Sequence, residues 1–441
     1  MQKNLFLNHP AYWLLGFFST ASCVAFIFSG RVLALFMLML VPVFADLVIH
    51  YRWGETFKVR SRSERHYYIW MIISIFSTIV GYLYFSAMPE WSSTTMSYMP
   101  KILIYLLLLF LLMGNEDRDG KTRSIANGLK IGILVNIIWS IADAALYYTA
   151  GFSLTNRVFA GYIEAMDIRY GQLSLIKSDG QFRSGGLNGD PANIGLFATI
   201  LAAYSLKARK TPYYILSILG TLSSVSMIAV VGIIAVTLIH LFHRRERRRR
   251  MTRRQTLYLF FASVVIIGLV VTNTELVEKM VGSVNTRMEM KLNTSETEGD
   301  NYRLQYYKNF LPAVLDEPMY LLTGTGYMTA SYPYLIHGYT SEEFFPYDPE
   351  MTYFSNYFDL GLTGFIFFLI FYLEIYALFR RRIYLQDATD MDYLIYAGLL
   401  GSLIAFFGYH YSLYSVVMLL SICAVSHGDT LRVRNKQENH A

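Results

Sequence analysis

Two stretches concentrate the residue types that do chemistry. The first, SDGQFRSGGLNGDPANIGLF at residues 178–197, sets Arg183 among Gly180, Gly185, Gly186 and Gly189. Glycines permit tight turns and let main-chain amides approach an anion closely. Asp190 is positioned to cap the helix that Pro191 opens, so that N-terminal amides would face the same space. An ordinary flexible loop with an interfacial arginine is the other reading, and spacing alone leaves both open. Arg157 and Arg169 add two more cations to this loop; each taken singly also reads as a solvated or headgroup-facing charge.

The second stretch begins at Arg303, in NYRLQYYKNFLPAVL, where Tyr302, Leu304, Tyr307, Leu311 and Leu315 recur near helical spacing and predict an amphipathic helix along a membrane surface. Next comes TGTGYMTASYPYLIHGYTSEEFFPYDPEMTYF, in which Gly324 and Gly326 bracket a turn and His337 precedes Glu342, Glu343, Asp348 and Glu350. No HxH or HxxxH spacing is present, so no metal site is expected. The tyrosines, Tyr327 among them, offer faces for sugar stacking and are equally the ordinary residues of a membrane interface. Asp46, Asp143, Asp359 and His410 lie in apolar runs, where an ionisable group must face protein or water, either as a proton relay or as an interior hydrogen-bonding partner.

The elements that position these residues follow from composition. Of 441 residues 54% are hydrophobic and 16% charged, against about 25% charged in an average globular chain. That excludes a free cytosolic enzyme and a disordered chain. The two cysteines, Cys23 and Cys423, both sit in apolar runs, which excludes a disulfide scaffold. Apolar runs starting near Ala11, Val32, Tyr67, Lys101, Ile131, Pro191, Tyr213, Val225, Thr256, Tyr353, Asp392 and Tyr411 predict an all-α polytopic integral membrane protein of about 12 transmembrane helices, forming a single membrane domain over 1–441. The opening MQKNLFLNHPAYW has one lysine and no small-residue cleavage site, so the first run is expected to be an uncleaved span. With both termini cytoplasmic, 27 of the 38 lysines and arginines fall inside, as retention of positive charge in cytoplasmic loops requires. The same pattern, basic clusters flanking apolar runs, argues against nucleic acid as a partner. Residues 212–242 hold only enough chain for two short spans, so a hairpin turning near Ser223 to Ser226 is expected, with one tilted helix as the alternative. Two outer segments, about 151–190 and 273–352, are too long to be connectors and are expected to be periplasmic loops that carry function.

This pattern resembles the superfamily of O-antigen polymerases and O-antigen ligases, Wzy-type and WaaL-type integral membrane glycosyltransferases. Three pieces carry the likeness. FRSGGLNGDPANIGLF resembles the family's arginine and glycines followed by Pro-x-Asn entering a span. Arg303 through EPMYLLTGTGY resembles its arginine-led helix followed by Pro and a Gly-x-Gly turn. EMTYFSNYFDLGLTG resembles its His-Asn-x-x-Leu segment ending in an acidic residue, Gly, two apolar residues and Gly. The resemblance implies that Arg183 and Arg303 hold the lipid pyrophosphate, that Asn193 and Asp359 stand at family positions, and that Glu350 replaces the ligase histidine as proton acceptor, with His337 as an alternative for that role. Arg157, Arg169 and Tyr327 would contribute to substrate binding. The reaction implied is transfer of an undecaprenyl-pyrophosphate-linked glycan onto a sugar hydroxyl of another lipid-linked repeat unit, at the periplasmic face of the bacterial inner membrane, without metal, nucleotide or other cofactor. Donor and acceptor oligosaccharides and the bilayer are the expected partners, and a polysaccharide chain-length regulator stays open as a further one. Two rival readings remain: a ligase acting on lipid A core, against which Glu350 stands, and a flippase or transporter, against which the long second loop stands.

Overall fold

The computed structural model describes residues 8–28, 31–52, 61–84, 96–166, 172–176, 182–246, 312, 315–316, 320–327, 329, 351–385, 388–408, 410–411 and 413–438. In chain order its elements are α1 Pro10–Phe18, the strands β1 Ala25–Phe28 and β2 Arg31–Ala34, α2 Leu35–Ile49, α3 Arg62–Tyr84, α4 Met99–Met113, α5 Arg118–Ala150, α6 Leu154–Val158, α7 Ala160–Ala165, the strands β3 Leu175–Ile176 and β4 Phe182–Arg183, α8 Pro191–Ala208, α9 Thr211–Ser224, α10 Met227–Glu246, α11 Tyr320–Thr323, α12 Thr352–Leu385, α13 Asp390–Ala405 and α14 Ser415–Glu438. The chain is mostly helical. Among the described residues three helices are long and apolar enough to cross a bilayer, Arg62–Leu83, Arg118–Ala150 and Thr352–Tyr384. Leu35–Ile49, Met99–Met113, Met227–His240 and Ser415–Asp429 are apolar but shorter.

The expectation of an all-helical chain needs one correction. The run near Val32 opens as an antiparallel hairpin in which Phe28 pairs with Arg31, leaving only Ser29 and Gly30 between the strands. Ser-Gly between two apolar runs is a turn signal that overrides helical continuity. Likewise the run near Ala11 yields a helix of only 9 residues, about 14 Å at 1.5 Å per residue and short of a bilayer core. The run near Thr256 and the amphipathic helix expected over 301–315 lie outside the described residues, apart from Pro312 and Leu315.

The chain divides into two compact units. The first comprises Met1–Val43, Arg123–Leu292 and Arg382–Ile404. Here α8 is its most buried helix, inaccessible from Ile194 through Ser205. It forms where the sequence specifies it: Asp190 caps the start through Ala192 N at 2.8 Å, Pro191 takes the first position, and Arg209 ends it in the left-handed region at φ 58°. Asp390, at the start of α13, binds Lys130 of α5 and Lys210 before α9, each at 2.8 Å, and accepts from Tyr204 of α8. Burial would raise the Asp390 carboxyl, but these hydrogen bonds outweigh it and hold the group at about 2.

The second unit comprises Phe44–Thr122, Asn293–Arg381 and Ala405–Ala441. Aromatic packing between α3 and α12 makes its core: Trp70 stacks on Phe371 at 5.7 Å and meets Phe368 and Tyr372. Polar pairs tie its helices: Lys121 to Asp46, Arg118 to Asp429 at 3.0 Å, and both Arg62 and His66 to Glu374. Asp46, partly exposed, is thus a hydrogen-bonding partner of Lys121, in line with one of the two readings of the ionisable residues.

Candidate functional site

Arg183 lies in the first unit on β4, paired through Leu175 with β3 and 9% exposed. Its Nε donates to the carbonyl of Ser224 at 3.3 Å. That carbonyl belongs to the last turn of α9, where unpaired C=O groups and the negative end of the helix dipole attract a cation. The predicted turn at Ser223 to Ser226 is where the helix breaks: α9 stops at Ser224, Val225 adopts φ 47°, and α10 starts at Met227. A β-branched residue in the left-handed region costs roughly 1–2 kcal/mol, so the break is held by its surroundings. Ser184 N donates to Ser223 O at 2.9 Å, Ser223 Oγ bonds Ser140 Oγ at 2.7 Å, and Arg183 takes the next carbonyl.

Asp143 is the organising group beneath this strand. Fully buried in the second half of α5, its carboxylate accepts from Ser153 Oγ at 2.9 Å, Thr155 N at 3.1 Å, Thr155 Oγ1 at 2.7 Å, Ser174 Oγ at 2.6 Å and Ser184 Oγ at 2.8 Å. One carboxylate therefore gathers the beginning, middle and end of the first large loop. Ser153 also caps α6, and Asn156 fastens Leu173 and Ser174. Phe182, next to Arg183, stacks on Tyr147 of α5 at 4.3 Å. The sequence leaves Asp143 open as a proton relay or an interior partner and does not show that its partners come from the loop. Its signal is an acid in an apolar run followed by many serines and threonines.

The expected use of the glycine-rich segment is corrected by these contacts. Its amides already have acceptors: Gly185 N bonds Ser174 Oγ, Gly186 N bonds Ser184 Oγ, Leu187 N bonds Asn136 Oδ1 and Gly189 N bonds Gly185 O. Ala192 N and Asn193 N are both taken by Asp190. An amide engaged in a buried bond is not an anion cradle. Gly189 serves close packing at φ 80°, since a Cβ there would lie 2.6 Å from Cys23 Sγ. Over its described residues, 182–197, the segment is neither an anion nest nor a loose loop; it is packed, with Arg183 held in its strand. Asn193 is buried and donates to Asn188, which holds Thr20 O and Ser22 Oγ. Its amide therefore braces the segment. Arg157 is exposed, with its guanidinium 5.4 Å from the Phe152 ring.

In the second unit, the Gly324 to Gly326 turn docks on α12. Thr325 N donates to Phe358 O and Gly326 N to Asp359 O, each at 2.9 Å. This is possible because α12 kinks at Gly361, at φ 68° and ψ 177°, which frees carbonyls one turn earlier. Gly324 and Gly361 meet backbone to backbone: a Cβ on Gly324 would lie 2.3 Å from Asp359 O, and one on Gly361 2.7 Å from Gly324 N. Asp359, fully buried, accepts from Thr329 N at 3.3 Å, and His410 Nε2 stands 3.9 Å from its Oδ2. Thr352 N bonds Phe406 O and its Oγ1 accepts from Tyr411 N, each at 2.9 Å, fixing the start of α12 to the link between α13 and α14. Tyr327 is fully buried, bonded to Ser74 and stacked on Tyr98 at 6.3 Å. Its ring is packed into the core. Arg169, Arg303, His337 and Glu350 lie outside the described residues. Among the described residues no three of His, Cys, Asp and Glu gather into a metal-binding group.

Fold and site define a mostly helical membrane protein with buried polar clusters in each unit. Residues 213–369 match the protein family described as O-Antigen ligase. The match runs from α9 to the middle of α12 and takes in the break at Val225, the Gly324 to Gly326 turn and the Gly361 kink. It supports a membrane glycosyltransferase of the O-antigen polymerase and ligase type and does not separate the two. No curated protein matches the chain.

Proposed function

We propose that this protein is a surface polysaccharide polymerase of the bacterial inner membrane, joining undecaprenyl-pyrophosphate-linked glycans at the periplasmic face. The family match over 213–369 carries the transferase class. Glu350, standing where the ligases resembled carry histidine, favours polymerase over ligase. Two local arrangements fit the chemistry. Arg183 is buried and braced, so it meets a pyrophosphate without reorganising. The Gly324 turn and the Gly361 kink lock together against α12, which starts two residues after Glu350 in the sequence.

In the step proposed, the bond between the donor's anomeric carbon and the pyrophosphate oxygen breaks while a bond to the acceptor hydroxyl oxygen forms. The hydroxyl proton goes to Glu350. Charge developing on the departing pyrophosphate is met by Arg183 and Arg303 through charge-assisted hydrogen bonds. Both substrates carry polyprenyl tails, so the site must open to the bilayer. The donor bond supplies the driving force, and no nucleotide takes part. Both termini would then be cytoplasmic and both large loops periplasmic, with a chain-length regulator as a further partner to be sought.

Purified protein in detergent, incubated with lipid-linked repeat units alone, tests this. The expected product is a ladder of longer lipid-linked glycans with release of undecaprenyl pyrophosphate. Transfer only when lipid A core is supplied would make it a ligase, and no transfer with either acceptor would refute the assignment.

A further inference from the structure

The first turns of α12 carry Thr352, Asn356 and Asp359 at i, i+4 and i+7, all with no exposed surface. Residues so spaced lie on one helix face. Two of the three show what that face meets: Thr352 Oγ1 accepts from Tyr411 N, and Asp359 faces His410. Asn356 lies between them. Its Nδ2 donates to Thr352 O at 2.9 Å, which fixes the orientation of the amide because a carbonyl can only accept. Its Oδ1 is buried and, among the described residues, has no hydrogen-bond partner. A buried acceptor without a donor costs about 1–3 kcal/mol, so such an atom in a polar cluster calls for an explanation.

We infer that Asn356, Asp359 and His410 form a binding subsite for a hydroxylated, glycan-type ligand, with Asn356 Oδ1 accepting from one sugar hydroxyl. This rests on the transferase reading above and deepens it by naming the residues that hold the acceptor sugar. A neutral O–H is the donor that suits the place. It satisfies the amide oxygen without adding charge beside an Asp359 that already has His410 and Thr329 N around it. A glycan carries several such groups, and the neighbouring carboxylate accepts a second. Asn356 and His410 would act as binding residues, with no covalent step assigned to either.

The test uses the full-length protein in detergent and, as probe, the lipid-free repeat-unit oligosaccharide released by mild acid from the cell's own polysaccharide. Binding is read by equilibrium dialysis, which needs no turnover. Asn356→Leu is expected to weaken binding about tenfold, the equivalent of ~1.4 kcal/mol, and His410→Gln to weaken it as well. The unfolding temperature of Asn356→Leu should equal or exceed that of wild type, because an unsatisfied buried acceptor has been removed. A lower unfolding temperature with unchanged binding would give Asn356 a purely structural role and overturn the inference. So would a wild type that binds no oligosaccharide at millimolar concentration. Failure of the transferase reading is seen separately, as no transfer by wild type with either acceptor while oligosaccharide binding stays sensitive to Asn356.

Discussion

Replacing Asp143 by Asn keeps the size of the side chain and removes its charge and one acceptor oxygen. Five donors converge on the native carboxylate, four hydroxyls and one amide, at 2.6 to 3.1 Å and without solvent. Hydrogen bonds to a charged group contribute about 1.5–3 kcal/mol each and do not add in a shared network. Asn retains one acceptor, and the hydroxyls facing its NH2 must turn to accept. The net cost is therefore about two such bonds, on the order of 3 kcal/mol. That raises the population in which the first large loop is detached by ~10²-fold. Proteolysis of a transiently opened segment follows that population when reclosing is fast. Limited proteolysis in detergent should thus cut Asp143→Asn within 151–184 about a hundred times faster than wild type. Transfer activity should fall together with the loop, because Ser184, held by Asp143, is the residue after Arg183. Cleavage at the wild-type rate would refute the reasoning, since the loop would then be held without its carboxylate.

Three further outcomes follow from the geometry. Gly361→Ala, at φ 68° with a Cβ 2.7 Å from Gly324 N, should unfold or inactivate the protein, whereas Gly151→Ala, at φ 75° with nothing within 4 Å, should cost only ~1 kcal/mol of strain; unfolding temperatures of the pair decide this. Asp390, ordinarily at 3.8 and held at about 2, contributes stability that is present above 3.8 and lost as pH falls through about 2; the unfolding temperature of wild type should drop over that window more than that of Asp390→Asn. Because α9 and α10 fold back on one another, with Tyr214 Oη 2.8 Å from Thr237 Oγ1, single cysteines introduced by Arg209→Cys and Met251→Cys should react with an impermeant thiol reagent from the same side of the membrane, and opposite sides would restore the single tilted span.

Much of the architecture is readable from the chain because hydrophobic periodicity and breakers act locally. Asp190-Pro191 opens α8 as expected, and the helix breaks within 223–226, where the sequence predicts a turn. The hairpin at Ala25 to Ala34 straddles the end of the run near Ala11 and the start of the run near Val32, and apolar composition alone does not say that the chain pairs there as strands. The roles of the site residues were harder to read, for a physical reason. Whether a glycine-rich segment offers its amides to a ligand or uses them internally depends on acceptors far away in sequence, here Ser174 and Asn136. The same holds for Tyr327, whose burial depends on Ser74 and Tyr98 more than 200 residues earlier. Asn356 carries no sequence signal at all, since only three-dimensional packing leaves an acceptor without a donor.

The most direct test of the central claim is the length of cell-surface polysaccharide on gels from a strain lacking this protein, complemented with wild type, Arg183→Ala, Arg303→Ala or Glu350→Gln. The account predicts single capped repeat units in the null strain, a full ladder restored by wild type, and none restored by the three variants. Full-length polymer accumulating on undecaprenyl pyrophosphate in the null strain would contradict it in favour of a ligase. Unchanged ladders in every strain would remove the protein from polymer synthesis altogether.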